Sequence, residues 1–112
     1  PRLLPMHRAQ SLYDIWRRCP VGGHDLRRFN FIRCDPELPS PTITAEGCRG
    51  AGPAHGLEPR RFTISELKRI CSFPDDFQLT GTFEKQWERL GRSVPPLMME
   101  KLSGTIRDNI LA

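Results

Sequence analysis

Prolines set the limits on what this chain can become. Eleven fall among its 112 residues, and each fixes its own φ, removes a backbone donor and turns the residue before it away from helical geometry. The segments between them must be short. Residues 9–19 place Leu12, Ile15, Trp16 and Cys19 at spacings of three and four, one face of a helix, before Pro20, Gly22 and Gly23 stop it. Phe29-Asn30-Phe31-Ile32-Arg33-Cys34 is aromatic and β-branched, is closed by Pro36, and reads as a strand. Thr42-Ile43-Thr44-Ala45 reads as a second one. Residues 47–56 hold four glycines and Pro53, the composition of a flexible surface loop.

Past Pro59 the texture turns helical. Thr63 followed by Glu66 is a capping-box pattern, Ile64, Leu67, Ile70 and Cys71 then share a face, and Pro74 ends that helix near Ser72. Phe73-Pro74-Asp75-Asp76-Phe77 reads as a turn carrying two aromatic plugs. In the next helix Phe83, Trp87 and Leu90 face inward, and Gly91 is expected to stop it in left-handed geometry. Ser93 is expected to cap the last helix ahead of Pro95 and Pro96. Its stripe of Met98, Leu102, Ile106 and Ile110 recurs at i, i+4. Two packings satisfy that stripe: the helices cover one another in a small α+β domain, or a sheet supplied from elsewhere covers it. The pattern does not choose between them.

Length and charge narrow the function. A chain this long holds one domain or part of one, which excludes a large multi-domain enzyme. Apolar residues at 38% and charged residues at 27% fit neither a membrane span nor a wholly disordered tail. The start, PRLLPMHRAQ, has no initiator Met and no signal-peptide stretch, so the chain is expected to begin mid-protein. Residues 1–61 carry 10 basic and 6 acidic side chains, residues 62–112 carry 7 of each, and every cation of the first part is Arg. Arg grips phosphates and guanine edges with two parallel bonds, which favours a nucleic-acid surface, although a GC-rich genome also enriches arginine. Cys19, Cys34, Cys48 and Cys71 lie 15, 14 and 23 positions apart with no close pair, the pattern of free intracellular thiols and not of a zinc site.

Three strings then stand in order: PSPTITAEG, EPRRFTISELKRICSFPDDFQLTG and QWERLGRSVPPLMM. Together they resemble the C-terminal end of DNA cytosine-5 methyltransferases, especially those of phages and bacteria, with residues 31–112 matching in order and spacing. The resemblance implies an α+β fragment forming the C-terminal part of a Rossmann-like α/β methyltransferase that uses S-adenosylmethionine. Residues 1–60 would belong to its target-recognition domain, and residues 61–112 would complete its catalytic domain. Such enzymes flip a cytosine out of double-stranded DNA, attack C6 with a thiolate from a Pro-Cys motif and pass the methyl group to C5. Here no cysteine follows a proline and no Gly-rich cofactor loop is present. The chain would therefore work with a catalytic half on the same polypeptide or a separate one, in the cytoplasm of a bacterial or phage-infected cell, and would be inactive alone. A rival expectation is a stand-alone or decayed basic DNA-binding module without catalysis.

The resemblance also assigns residues. Thr42 and Ile43 match the recognition pair whose hydroxyl and backbone meet DNA beside the flipped nucleotide; as plain residues they would simply fill a sheet. Arg61 and Glu66 match the fixed charges of the ninth conserved block, which holds the recognition segment against the catalytic domain, and their places on either side of the helix start suit a charge pair that braces loops. Arg92, Ser93 and Val94 lie in a stretch like the tenth block, which closes the S-adenosylmethionine pocket. Arg92 stands where the family mostly has Asn, and Ser93 can serve equally as an ordinary cap. Arg33 and Arg49 are added as DNA contacts from the recognition region. For these two, as for Arg27, Arg28 and Arg60, the plain reading is solvated surface.

Overall fold

The computed structural model describes residues 10–25, 31–48 and 52–111. Along the chain come α1 (Gln10–Arg18), β1 (Ile32–Arg33), β2 (Pro53–Ala54), α2 (Ile64–Ile70), α3 (Phe83–Arg92) and α4 (Pro96–Ile106), which continues into a π-helical turn at Arg107–Leu111. The architecture is a small α+β fold. Helix α1 turns Ile15, Trp16 and Cys19 inward as their spacing requires, and they pack with Phe31 and Ala54 in a first small core. The side chain of Leu12 lies outside the described residues.

The sheet is smaller than the sequence suggests and lies elsewhere. β1 keeps only Ile32 and Arg33 of the expected strand, and Phe29 and Asn30 lie outside the described residues. Its parallel partner β2 comes from within the expected loop, with Ile32 opposite Pro53 and Arg33 opposite Ala54. The described parts of that expected loop, residues 47–48 and 52–56, are thus not flexible surface: Gly47, Cys48, Pro53, Ala54 and Gly56 are buried. Glycine serves close approach here, because a Cβ on Gly56 would collide with the Cys34 carbonyl oxygen. Thr42-Ile43-Thr44-Ala45 forms no strand either. The Thr44 carbonyl accepts the Gly47 N–H at 3.1 Å, so its bonding capacity goes to a turn and not to a ladder.

A second core joins both parts of the chain. Cys34, Cys48, Phe62, Leu67, Cys71, Trp87 and Leu90 form it, with Ile43, Ile64, Phe73, Leu79 and Phe83 at its edge. Packing therefore crosses residue 60. Helix α2 begins as expected: Thr63 Oγ1 accepts the Glu66 N–H at 3.2 Å, and Glu66 Oε2 accepts the Thr63 N–H at 2.8 Å. Ile70 departs from the expected face and reaches the surface.

Two expectations about the last helices fail together. Gly91 does not stop α3; it lies inside the helix, where a Cβ would collide with the Thr44 carbonyl carbon and the Ala45 nitrogen. The helix runs one residue further. Ser93 consequently closes α3 and does not cap α4: its Oγ donates to the Leu90 carbonyl at 2.6 Å, and the cap position of α4 falls on Pro95, which makes no side-chain cap bond. α4 itself buries no residue, and Leu97, Met98, Met99, Leu102, Ile106 and Ile110 are all exposed. Mutual packing of the helices thus does not extend to α4. A radius of gyration of 15.9 Å exceeds the roughly 13 Å of a compact chain this long.

Candidate nucleic-acid interface

The Thr42–Cys48 segment is held from behind. Trp87, fully buried in α3, donates its indole N–H to the Thr44 carbonyl at 3.0 Å. Gly91, one helical turn on, brings the α3 backbone against Thr44 and Ala45. From the strand-to-helix connection, the Arg61 guanidinium donates to the Gly47 carbonyl at 3.1 Å and to the Cys48 carbonyl. Ile43 packs on the edge of the second core, while Thr42 and Thr44 are exposed. A loop without a sheet partner is thereby made rigid and keeps its hydroxyls outward. Neutral hydroxyl and amide donors on a fixed backbone suit phosphate oxygens, where they set position without reading sequence.

The charges are arranged differently from the sequence expectation. Glu66 takes Arg60 as its partner, with Arg60 Nη1 to Glu66 Oε2 at 3.0 Å and Nη2 to Oε1 at 2.8 Å, a two-bond fork. Glu58 grips the same guanidinium from the other side. Arg60 is therefore not solvated surface; it is 8% exposed. The fork holds the Glu66 carboxyl below the ordinary glutamate range, and both carboxylates push Arg60 further up. Arg33, expected at DNA, is committed inward. Its guanidinium lies 3.9 Å over the Trp16 ring and donates to the carbonyls of Gly56 (2.7 Å), Cys19 (3.0 Å) and Trp16 (3.2 Å). It ties α1 to the strand region and is withdrawn from the DNA set. Arg49, with Arg27 and Arg28, lies outside the described residues.

The stretch Gly91 to Pro96 lies at the other end of α3. Arg92 runs back along the helix to Glu88 at 2.8 Å, with its own side chain exposed and that of Glu88 largely covered. Ser93 spends its hydroxyl on the Leu90 carbonyl, and Val94 is 50% exposed. All four cysteines are buried and form no disulfide, and burial pushes the Cys34 thiol up to about 11 and raises those of Cys19 and Cys71. A thiol raised in this way holds little thiolate at neutral pH. Among the described residues no group of three metal-ligating side chains occurs, and no helix is long and apolar enough to cross a membrane.

Residues 9–108 match the family model of the C-5 cytosine-specific DNA methylases. The chain belongs to that family. The chain is 33% identical to the type II methyltransferase M.AquIB of Picosynechococcus, in an alignment covering 92% of the chain and 84% of the relative. It is 41% identical to M.NgoFVII of Neisseria gonorrhoeae and 37% identical to M.SacI of Streptomyces achromogenes. Those alignments cover 83% and 72% of the chain but only 25% of each relative, so the chain spans about a quarter of their length. No solved structure matches it. What the sequence left unread is the brace: a glycine inside α3, where alanine is worth about 1 kcal/mol more, is the one visible signal of the close approach at Thr44.

Proposed function

We propose that the chain is the recognition and pocket-closing part of a DNA cytosine-5 methyltransferase. The observation that carries this reading is the rigid support of the Thr42–Cys48 segment by Trp87, Gly91 and Arg61, with Thr42 left outward. Residues 1–60 supply recognition and residues 61–112 complete the catalytic domain. In this reading Thr42 contributes its hydroxyl and Ile43 its backbone at the DNA phosphates beside the flipped cytosine. The ninth-block role falls to Arg61, which holds the recognition segment, and to Glu66, which holds Arg60 beside it.

S-adenosylmethionine supplies the methyl group. The residues around α4 suit it: Val94 offers exposed apolar surface, and an eleven-residue helix with no side chain capping it from Pro95 presents partial positive charge toward a carboxylate. Arg92 joins by leaving Glu88. A Rossmann-like catalytic half provides the Pro-Cys thiolate and the Gly-rich cofactor loop, and its sheet covers the exposed stripe of α4. A free-standing DNA-binding module gives that stripe no purpose. That catalytic half stands on the same polypeptide or on a separate one. The type II names of the relatives support a place in restriction-modification, in the cytoplasm.

The test is reconstitution with a catalytic half, following transfer of labelled methyl to cytosine C5 in duplex DNA. The pair is expected to transfer and the chain alone to transfer nothing. Ser93→Trp should weaken S-adenosylmethionine binding while DNA binding persists. Transfer by the isolated chain, or unchanged cofactor affinity in that variant, overturns the reading.

A further inference from the structure

Ser72 stands out in the backbone. Among the described residues it is the one non-glycine at positive φ, +61°, a left-handed geometry that costs a side chain such as serine about 1–2 kcal/mol. It follows the last turn of α2, where glycine would sit without strain. Its hydroxyl is used at a distance: Ser72 Oγ accepts the Leu97 N–H at 3.1 Å, across 25 positions of sequence. That N–H belongs to the first turn of α4, whose own cap position, Pro95, supplies no side-chain acceptor. Ser93, the nearer hydroxyl, is already spent on Leu90. No side chain of α4 is buried to anchor the helix by packing. The four residues from Ser93 to Pro96 thus form an arch with both feet fixed, one on α3 through Ser93 and one on the end of α2 through Ser72.

We propose that Ser72 is a positioning residue for the cofactor: by capping α4 from outside, it sets the arch that presents Val94 and the helix start to S-adenosylmethionine. The inference rests on the reading of this stretch as the pocket-closing block. Strain at Ser72 and the hydroxyl at Leu97 separate cleanly by mutation. Ser72→Gly removes both, and Ser72→Ala removes only the hydroxyl and keeps the strained backbone.

The experiment compares both variants with the parent in the complete enzyme, measuring affinity for S-adenosylmethionine, affinity for DNA and melting temperature. Both are expected to lose about five-fold in cofactor affinity, the equivalent of one net hydrogen bond, with DNA affinity unchanged. Their melting temperatures should differ, Gly above Ala. A cofactor loss that tracks melting temperature, or one that DNA affinity shares, overturns the proposal and leaves Ser72 a structural residue. Unchanged cofactor affinity in both variants, when Ser93→Trp does weaken it, also overturns this proposal while the pocket-closing reading stands. If Ser93→Trp leaves cofactor affinity unchanged as well, both fall together.

Discussion

Helices α3 and α4 are nearly equal in length, at 10 and 11 residues, and opposite in what they do with their apolar side chains. α3 is polar on average but buries Trp87 and Leu90 in a core completed by this chain's own residues. α4 carries Leu97, Met98, Met99, Leu102 and Ile106 and buries none of them. Apolar content therefore does not say which helix a chain needs for its own stability. What decides it is whether the chain also supplies the opposing surface. Here α3 holds the Thr42–Cys48 segment from within, and α4 leaves its apolar side chains on the surface.

Mutations sharpen that contrast. The largest effect is expected at Trp87, where truncation to Ala empties a fully buried indole site and removes one of two donors to the Thr44 carbonyl; a loss of about 3–5 kcal/mol in urea unfolding is anticipated. A smaller value would mean that the second core is looser than its burial indicates. Next comes Gly91→Ala. Helix propensity alone makes alanine about 1 kcal/mol better, but overpacking against Thr44 and Ala45 should reverse the sign and cost about 1–3 kcal/mol. A stabilised variant would remove the brace from the account.

Acid separates the charge brace from both helices. Glu66 has its carboxyl lowered by Arg60, so its contribution is fully present above the ordinary glutamate pKa of about 4.3 and is lost as pH falls through the lower folded value. Glu66→Gln should cost about 1 kcal/mol at neutral pH and flatten the acid limb of a thermal melting series. An acid limb identical to that of the parent would exclude the pair as its source. The smallest effect belongs to α4: Leu102→Ser should change the stability of the chain alone by less than about 0.5 kcal/mol. The same change should weaken assembly with a catalytic half at least ten-fold in a titration. Lost stability in the chain alone would show that α4 packs on its own fold.

The helices were legible because their signals are local. Thr63 and Glu66 are three residues apart, and Phe83, Trp87 and Leu90 repeat on one face, so backbone geometry alone brings each set together. The candidate site was legible in part. Thr42 and Ile43 were visible through motif order, yet the supports that fix them come from 13 to 43 positions away. Arg33 and Arg60 were misread for the same reason, since an arginine's carbonyl or carboxylate partners are set by the path of the chain and not by its neighbours.

By itself, then, the sequence determined the family, the α+β character, the capped start of α2 and the inward faces of α1 and α3, all consequences of spacing, capping and proline chemistry. Only the tertiary structure decided that residues 53–54 pair as a strand and that Gly91 continues α3 instead of ending it. It likewise decided that Arg60 answers Glu66 and that α4 stays uncovered. These outcomes depend on which distant backbone atoms come within hydrogen-bond or van der Waals reach, and that distance is a property of the folded chain.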